Sequence, residues 1–326
     1  MFNKVIVCCP GNIVTGGPEL LHQFVNEARS LGVDASIMYY PFTKEFATPT
    51  AYSHYDIKVT SYNSADFNKS IIILPEVATK FIKLFPLNSI CVWWLSVDNY
   101  FPQTTNKLNK YIRNFVSVGI GRKSSLSTIK KCINLSQSEY ASLFLLEKGI
   151  ISTKITDYLN KTHLENIYNI NDKKDIIVFN PKKGFEVTRK LIENNPDLTF
   201  IPIENMNAED VRALLRKSKI YIDFGNHPGK DRLPREAAMA GCCIITGVKG
   251  SASNDIDISI PKRFKFDDKT SVDNELFRHV VEDVFLDFKT VYDAYEPYRE
   301  QIRSEPDVFK SQVESFINDH ILINKI

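Results

Sequence analysis

Apolar positions along this chain of 326 residues fall into short dense runs, separated by segments in which they recur every three or four residues. The first run, KVIVCC (4–9), is apolar after Lys4 and reads as a strand buried on both faces. A glycine-containing loop, PGNIVTGGP, leads to ELLHQFVNEARSLG, where Leu20, Phe24, Ala28 and Leu31 share one helical face and Gly32 closes the helix. ASIMYY (35–40), SIIILP (70–75), SICVWWL (89–95), NFVSVGI (114–120) and KCINLS (131–136) read as further strands. SEYASLFLLEKG follows as a helix with Ser138 as its N-cap. A polar, irregular stretch over 151–175 then interrupts the pattern and marks a domain boundary.

Beyond the boundary the alternation repeats: strand DIIVFN (175–180), helix VTRKLIENN, strand LTFIPI, helix NAEDVRALLRKS and strand KIYIDF. A short helix opened by HPGKDRLPREAAMAGC (227–242) and strand CCIITG complete it. After about residue 272 the chain turns helical through ELFRHVVEDVFLDFKTVYDAY and, past a break at Pro306, VFKSQVESFINDHI. In that last segment Phe309, Val313, Phe316, Ile317 and Ile321 repeat at helical spacing and need a surface to cover them. Strands alternating with helices predict an α/β protein of two doubly wound parallel sheets, 1–160 and 161–300, with a terminal helix over 301–326. Sheets of this kind bind ligands outside the carboxyl ends of their strands.

Forty-one basic against thirty-nine acidic residues leave a net charge of +2, which gives no argument for a nucleic-acid partner. No apolar run approaches the roughly 20 residues that span a bilayer. The opening MFNKVIVCCPGN is broken too soon for a signal peptide, so a cytoplasmic protein is expected. The six cysteines show no CxxC or Cys/His spacing and read as buried free thiols rather than zinc ligands. Sequons at Asn68, Asn134 and Asn160 read as chance without a secretory signal. The chain shows no internal repeat.

Three loops follow a strand and open a helix. In TGGPELLHQ, Gly16 and Gly17 let backbone approach a ligand; equally, this is a plain turn with Pro18 at the first helical position. It is neither a dinucleotide GxGxxG with its acidic partner nor a phosphate-binding GxxxxGK[ST] loop. In FNPKKGFE, Lys182 and Lys183 lie just past a buried strand, either facing a ligand or simply solvated. The third loop gathers Lys230, Asp231, Arg232, Arg235 and Glu236 around two prolines, between two strands and at a helix start. A helix dipole welcomes one carboxylate there, but five charges ask for more. Lys230, Arg232 and Arg235 beside helix N–H groups suit a diphosphate, and Glu236 suits ribose hydroxyls.

PREAAMAGCCIIT resembles the P-E-A-M-A-x-G-x-P-V-I segment of GT-B glycosyltransferases, especially the retaining family-four group, and GGPELLHQFVNEARSLG resembles their N-terminal GG loop and helix. The resemblance implies two Rossmann-like domains facing a cleft, with the nucleotide-sugar donor on the second and the acceptor on the first. It also implies that the last helix returns to the first domain. The last Glu of the family's E-x7-E motif maps onto Glu236, at the ribose. The first would fall at Pro228, where this sequence departs from the pattern, with His227 and Lys230 nearby. The family's basic residues after the first strands of the second domain match Lys182 or Lys183.

Lesser candidates are His22, beside the GG loop, as a base or hydroxyl binder or else a packed residue, and Asp98, as a base or a strand-end turn residue. Trp93 and Trp94 alternate faces, so at most one lines a site. Lys107, Lys110 and Arg113 form a basic helical face of the kind that is usually just solvated, and Asp255-x-Asp257 has the metal-binding spelling of a different glycosyltransferase fold but reads here as a loop. The expected activity is metal-independent transfer of a sugar from a nucleotide-sugar to a glycan or lipid-linked acceptor, with no cofactor. Surface-polysaccharide assembly, at the inner face of the membrane where the acceptor is a lipid, is the pathway the resemblance implies. A non-catalytic binding module of the same shape is the alternative, on account of Pro228, and a sugar-nucleotide epimerase a third reading.

Overall fold

The computed structural model describes residues 2–101, 113, 116–165, 168–267 and 272–322. They divide into two compact units, residues 1–158 with 306–326, and residues 159–305.

The first unit is built on a six-stranded parallel sheet in the order β2-β1-β3-β4-β5-β6. Its strands are β1 (Lys4–Pro10), β2 (Asp34–Tyr40), β3 (Ser70–Pro75), β4 (Ile90–Trp94), β5 (Ile133–Ser136) and β6 (Thr153–Lys154). β1 shows why its run is apolar throughout. Val5, Val7 and Cys9 pack with α1 (Gly16–Ser30) on one face, and Ile6 and Cys8 pack on the other with Ala78, Ile82 and Leu145. The last of these belongs to α2 (Glu139–Glu147), whose N-cap Ser138 accepts a hydrogen bond from Ala141 N.

The second unit carries a four-stranded parallel sheet in the order β10-β9-β7-β8. Its strands are β7 (Lys174–Phe179), β8 (Thr199–Pro202), β9 (Ser218–Asp223) and β10 (Cys243–Thr246). Helices α3 (Phe185–Asn194), α4 (Ala208–Lys217) and α5 (Arg232–Met239) connect them; α6 (Asn274–Leu286) and α7 (Phe288–Ala294) follow. Counted within each unit, the first four strands are wound alike, second-first-third-fourth. Each sheet therefore reverses its winding between its first and third strands, the place where such sheets take ligands.

The final helix, α8 (Glu296–His320), passes through Pro306 without the expected break. A proline inside a helix removes one N–H and crowds the preceding turn, but it does not have to end the helix. From Pro306 onward α8 belongs to the first unit, where Phe309, Val313, Phe316, Ile317 and Ile321 complete the core face shared by β1 and α1. Burying each such side chain stabilises by about 1.5–3 kcal/mol. Gln312 Oε1 accepts from Thr156 N at 2.8 Å on the same unit.

One predicted strand is corrected. Within NFVSVGI, residues 116–119 are helical, with Ile120 N donating to Val116 O at 2.9 Å. β4 pairs directly with β5, leaving no lane for a strand between them, and Val116 and Ile120 are exposed. All six cysteines are free, and all but Cys132 are buried. No helix of the described residues is long and apolar enough to cross a membrane.

Candidate donor site

At the reversal point of the second sheet, two loops distant in sequence meet. The loop after β7 turns when Asn180 Oδ1 accepts from Lys182 N at 3.0 Å. It then enters α3 through Gly184, at φ 61°. A Cβ at Gly184 would lie 2.3 Å from the backbone of Phe224, so only glycine allows the loops after β7 and β9 to approach so closely. The loop after β9 starts from Asp223, whose Oδ1 accepts from Gly225 N and Oδ2 from Tyr221 Oη, each at 2.9 Å. Its far side rests on Gly250, where a Cβ would come within 2.1 Å of the carbonyls of Asn226 and His227, and Ser251 Oγ donates to Gly229 O at 2.7 Å.

Charges lock these loops together. His227 is fully buried, with Nδ1 3.0 Å from Asp231 Oδ2 and Nε2 3.5 Å from Asp223 Oδ1. Lys183 Nζ donates to the same Asp231 oxygen at 2.6 Å. Burial alone would pull the His227 pKa down, but the hydrogen bond to Asp231 and the charges of Asp223 and Asp231 outweigh it and hold it up. Burial would likewise raise Asp231, and His227 and Lys183 more than offset it. Asp231 is the residue before α5 yet makes no side-chain cap bond, because its carboxylate is engaged by the imidazole and the ammonium. Asp223, His227 and Asp231 bring three metal-ligating atoms within 4.8 Å of one another, but here a lysine and a histidine supply the positive charge.

Within the five-charge stretch the structure separates two roles. Arg235, expected at the phosphates, is fully buried: its Nη1 lies 2.6 Å from Glu305 Oε2, and its Nη2 donates to Lys230 O at 3.1 Å. Lys230, also expected there, places Nζ 2.7 Å from Glu305 Oε1 and is 9% exposed. Both charges therefore anchor the loop to a buried glutamate of α8. Arg232 and Glu236 stay partly open, at 18% and 17% side-chain exposure, with Arg232 Nε 3.8 Å from Glu236 Oε1. Lys182 is exposed and Lys183 half-exposed in the loop after β7. His163, in the polar stretch and without a sequence signal, lies 3.6 Å from Glu236 Oε1. Pro228, where the first glutamate of the E-x7-E pattern would fall, sits half-buried between His227 and Gly229.

The remaining candidates lie elsewhere. Gly16 and Gly17 open α1 on the first unit, and a Cβ at Gly17 would meet only Leu95 at an ordinary 3.6 Å. His22 is fully buried in α1; its Nδ1 faces Pro18 O at 2.6 Å and its Nε2 faces Tyr39 Oη at 2.8 Å, so both ring nitrogens are engaged within the protein. Asp98 lies half-buried in the short helix Val97–Tyr100 after β4. Trp93 and Trp94 are both core residues, Trp93 edge-on to Phe24 and Trp94 bonded to Asn134. Asp255 pairs with Lys265 and Asp257 with Asn254, in a loop as expected. Arg113 is exposed, while Lys107 and Lys110 lie outside the described residues. Sequence reasoning missed Glu76, which is buried at the end of β3 and accepts from Leu95 N at 3.0 Å.

No protein-family model and no curated protein matches the sequence. Solved structures do match its fold from end to end. HepE of Anabaena, solved with UDP-glucose, is 10% identical, with a TM-score of 0.62 over 97% of this chain and 99% of its own. Sucrose-phosphate synthase of Thermosynechococcus elongatus is 9% identical, with a TM-score of 0.66 over 97% and 98%. WaaG, a glycosyltransferase involved in lipopolysaccharide biosynthesis, is 11% identical, with a TM-score of 0.57 over 95% and 99%. At these identities the likeness is one of fold, and the fold of this chain is the GT-B fold of glycosyltransferases.

Proposed function

We propose that the protein is a glycosyltransferase that takes a sugar from a nucleotide-sugar bound on its second unit and passes it to a glycan or lipid-linked acceptor. The observation that carries this reading is the meeting of the loops after β7 and β9, with Lys183 Nζ 2.6 Å from Asp231 Oδ2 at the start of α5. Lys182 and Lys183 follow β7, Arg232 and Glu236 lie in α5 after β9, and all four keep some exposure, where a doubly wound sheet takes its ligand. In this reading Arg232, the two lysines and the amino end of α5 hold the diphosphate. They stabilise the charge that grows on it as the glycosidic bond breaks. Glu236 accepts hydrogen bonds from the ribose hydroxyls. His227, Lys230, Arg235 and Gly184 hold the loops in place rather than touch the donor.

The reaction is proposed to need no metal: in this reading Arg232 and the lysines meet the phosphates, and Lys183 and His227 engage the carboxylate of Asp231. The fold shared with HepE, whose structure holds UDP-glucose, and with WaaG of lipopolysaccharide biosynthesis supports a role in cytoplasmic polysaccharide assembly, at the membrane face when the acceptor is a lipid. Incubation with a panel of nucleotide-sugars, with released nucleotide as readout, tests it. Release from at least one donor, persisting in excess chelator, is expected. Binding without release in the presence of glycan acceptors would mark a binding module instead. Activity restored only by manganese or magnesium would assign Asp223, His227 and Asp231 to a metal.

A further inference from the structure

Glu236 is approached from two elements, by Arg232 of its own helix and by His163 of the short helix Lys161–Leu164. Sequence reading leaves His163 inside a polar boundary, but the structure fixes it in place. Leu159 is fully buried in the core of the second unit and Leu164 packs against the same core, so both ends of this turn are anchored. Between them His163 N and Leu164 N donate to Asn160 O at 3.0 and 3.3 Å. Thr162 Oγ1 donates to Asn160 Oδ1 at 2.5 Å. The helix so formed packs on α5 and leaves the His163 side chain 12% exposed.

The contacts on the Glu236 carboxylate are one-sided. His163 Nε2 lies 3.6 Å and Arg232 Nε 3.8 Å from the same oxygen, Oε1, and among the described residues nothing pairs with Oε2. A lone pair on Nε2 would repel Oε1, so this nitrogen carries a proton. Both separations exceed a hydrogen bond, so the two positive edges orient the carboxylate without using up its acceptor sites. Arg232 and Glu236 are four residues apart on one helix, the spacing at which opposite charges close on each other. A closed pair would take the carboxylate from ribose hydroxyls and the guanidinium from a diphosphate at once. His163 competes for the same oxygen from another element and so opposes that closure.

We propose that His163 is a positioning residue for the donor: it holds Glu236 with one oxygen engaged and the other presented to the ribose hydroxyls. The proposal rests on the reading of Glu236 as the ribose-binding group, which nucleotide binding by wild type tests separately.

Calorimetric titration of UDP, GDP and ADP, and of their 2′-deoxy forms, tests it. The proteins are wild type, His163→Ala, His163→Gln, Glu236→Gln and the double variant of His163→Ala with Glu236→Gln. Wild type should prefer the ribose form of the diphosphate it binds, and His163→Ala should lower that preference about threefold or more. His163→Gln keeps an N–H donor near the place of Nε2 and should retain most of it. On the Glu236→Gln background His163→Ala should lower it no further, since the histidine acts through that carboxylate. Thermal melts check the fold; should alanine melt early, His163→Leu fills the volume and gives the same readout. Equal preference in wild type and folded His163→Ala, no rescue by glutamine, or a further loss on the Glu236→Gln background overturns the proposal and leaves the donor reading standing. A diphosphate that binds wild type with no preference for ribose overturns it as well. Binding of no diphosphate to wild type removes the donor reading, and the role of His163 with it.

Discussion

Glu76 is the residue whose environment is least like its chemistry. It is 2% exposed, directly after β3, and burial pushes its carboxyl from the ordinary value of 4.5 up to about 7, against the lowering effect of backbone N–H groups of Leu95 and Ser96. A folded pKa above the unfolded one means that the fold prefers the protonated acid. Its contribution is then fully present below about pH 4.5 and is lost as pH rises through about 7. The difference corresponds to roughly 3 kcal/mol. Denaturant melts of wild type and Glu76→Gln between pH 4.5 and 8.5 should show wild type losing stability relative to the variant as pH rises. Parallel profiles would show that Glu76 titrates normally. Such a residue is not legible in sequence, because a glutamate after a proline reads as a turn. Arg235 and Glu236 show the same limit. They are adjacent in sequence, but about 100° apart around a helix, so one is buried on Glu305 and the other stays half-open. The partner that decides this, Glu305, lies 70 residues away.

At the scale of elements, periodicity located most of the chain. SIIILP coincides with β3, and the other predicted strands that form agree to within a residue or two at each end, while the two-residue β6 lies in the stretch read as irregular. NFVSVGI shows what the pattern lacks: alternating β-branched residues suit a strand only where a neighbour has a free edge. Pro306 shows the converse, a helix breaker tolerated where the core on both sides keeps the helix in place. The least visible element property is the approach of the loops after β7 and β9, which depends on a single glycine. Gly184→Ala should cost about 1–3 kcal/mol, through its positive φ and its contact with Phe224. It should also weaken nucleotide binding by parting the loops. Thermal melts and nucleotide titration of this variant check both; an alanine that leaves both unchanged would mean that the loops are free to relax.

For the whole molecule, two doubly wound halves were legible from alternation, because buried parallel strands and amphipathic helices leave different periodicities; the strand order that they share was not. The stretch around Glu236 stood out in the sequence because five charges cannot all serve a helix dipole. Which of them are buried was not legible, since burial is decided by long-range packing. The proposed function therefore rests on Lys182, Lys183, Arg232 and Glu236, and calorimetric titration of nucleoside diphosphates tests it most directly. UDP, GDP and ADP are titrated into wild type, Glu236→Gln and Arg232→Ala, with the matching nucleoside as control. At least one diphosphate should bind wild type. Glu236→Gln should lower its affinity about tenfold, since charge-assisted hydrogen bonds are worth roughly 1.5–3 kcal/mol. Arg232→Ala should weaken the diphosphate far more than the nucleoside, which has no phosphate to pair. If no diphosphate binds wild type, or if Glu236→Gln binds it as tightly as wild type does, Glu236 is a helix-end charge and the second unit does not hold a nucleotide-sugar in this way.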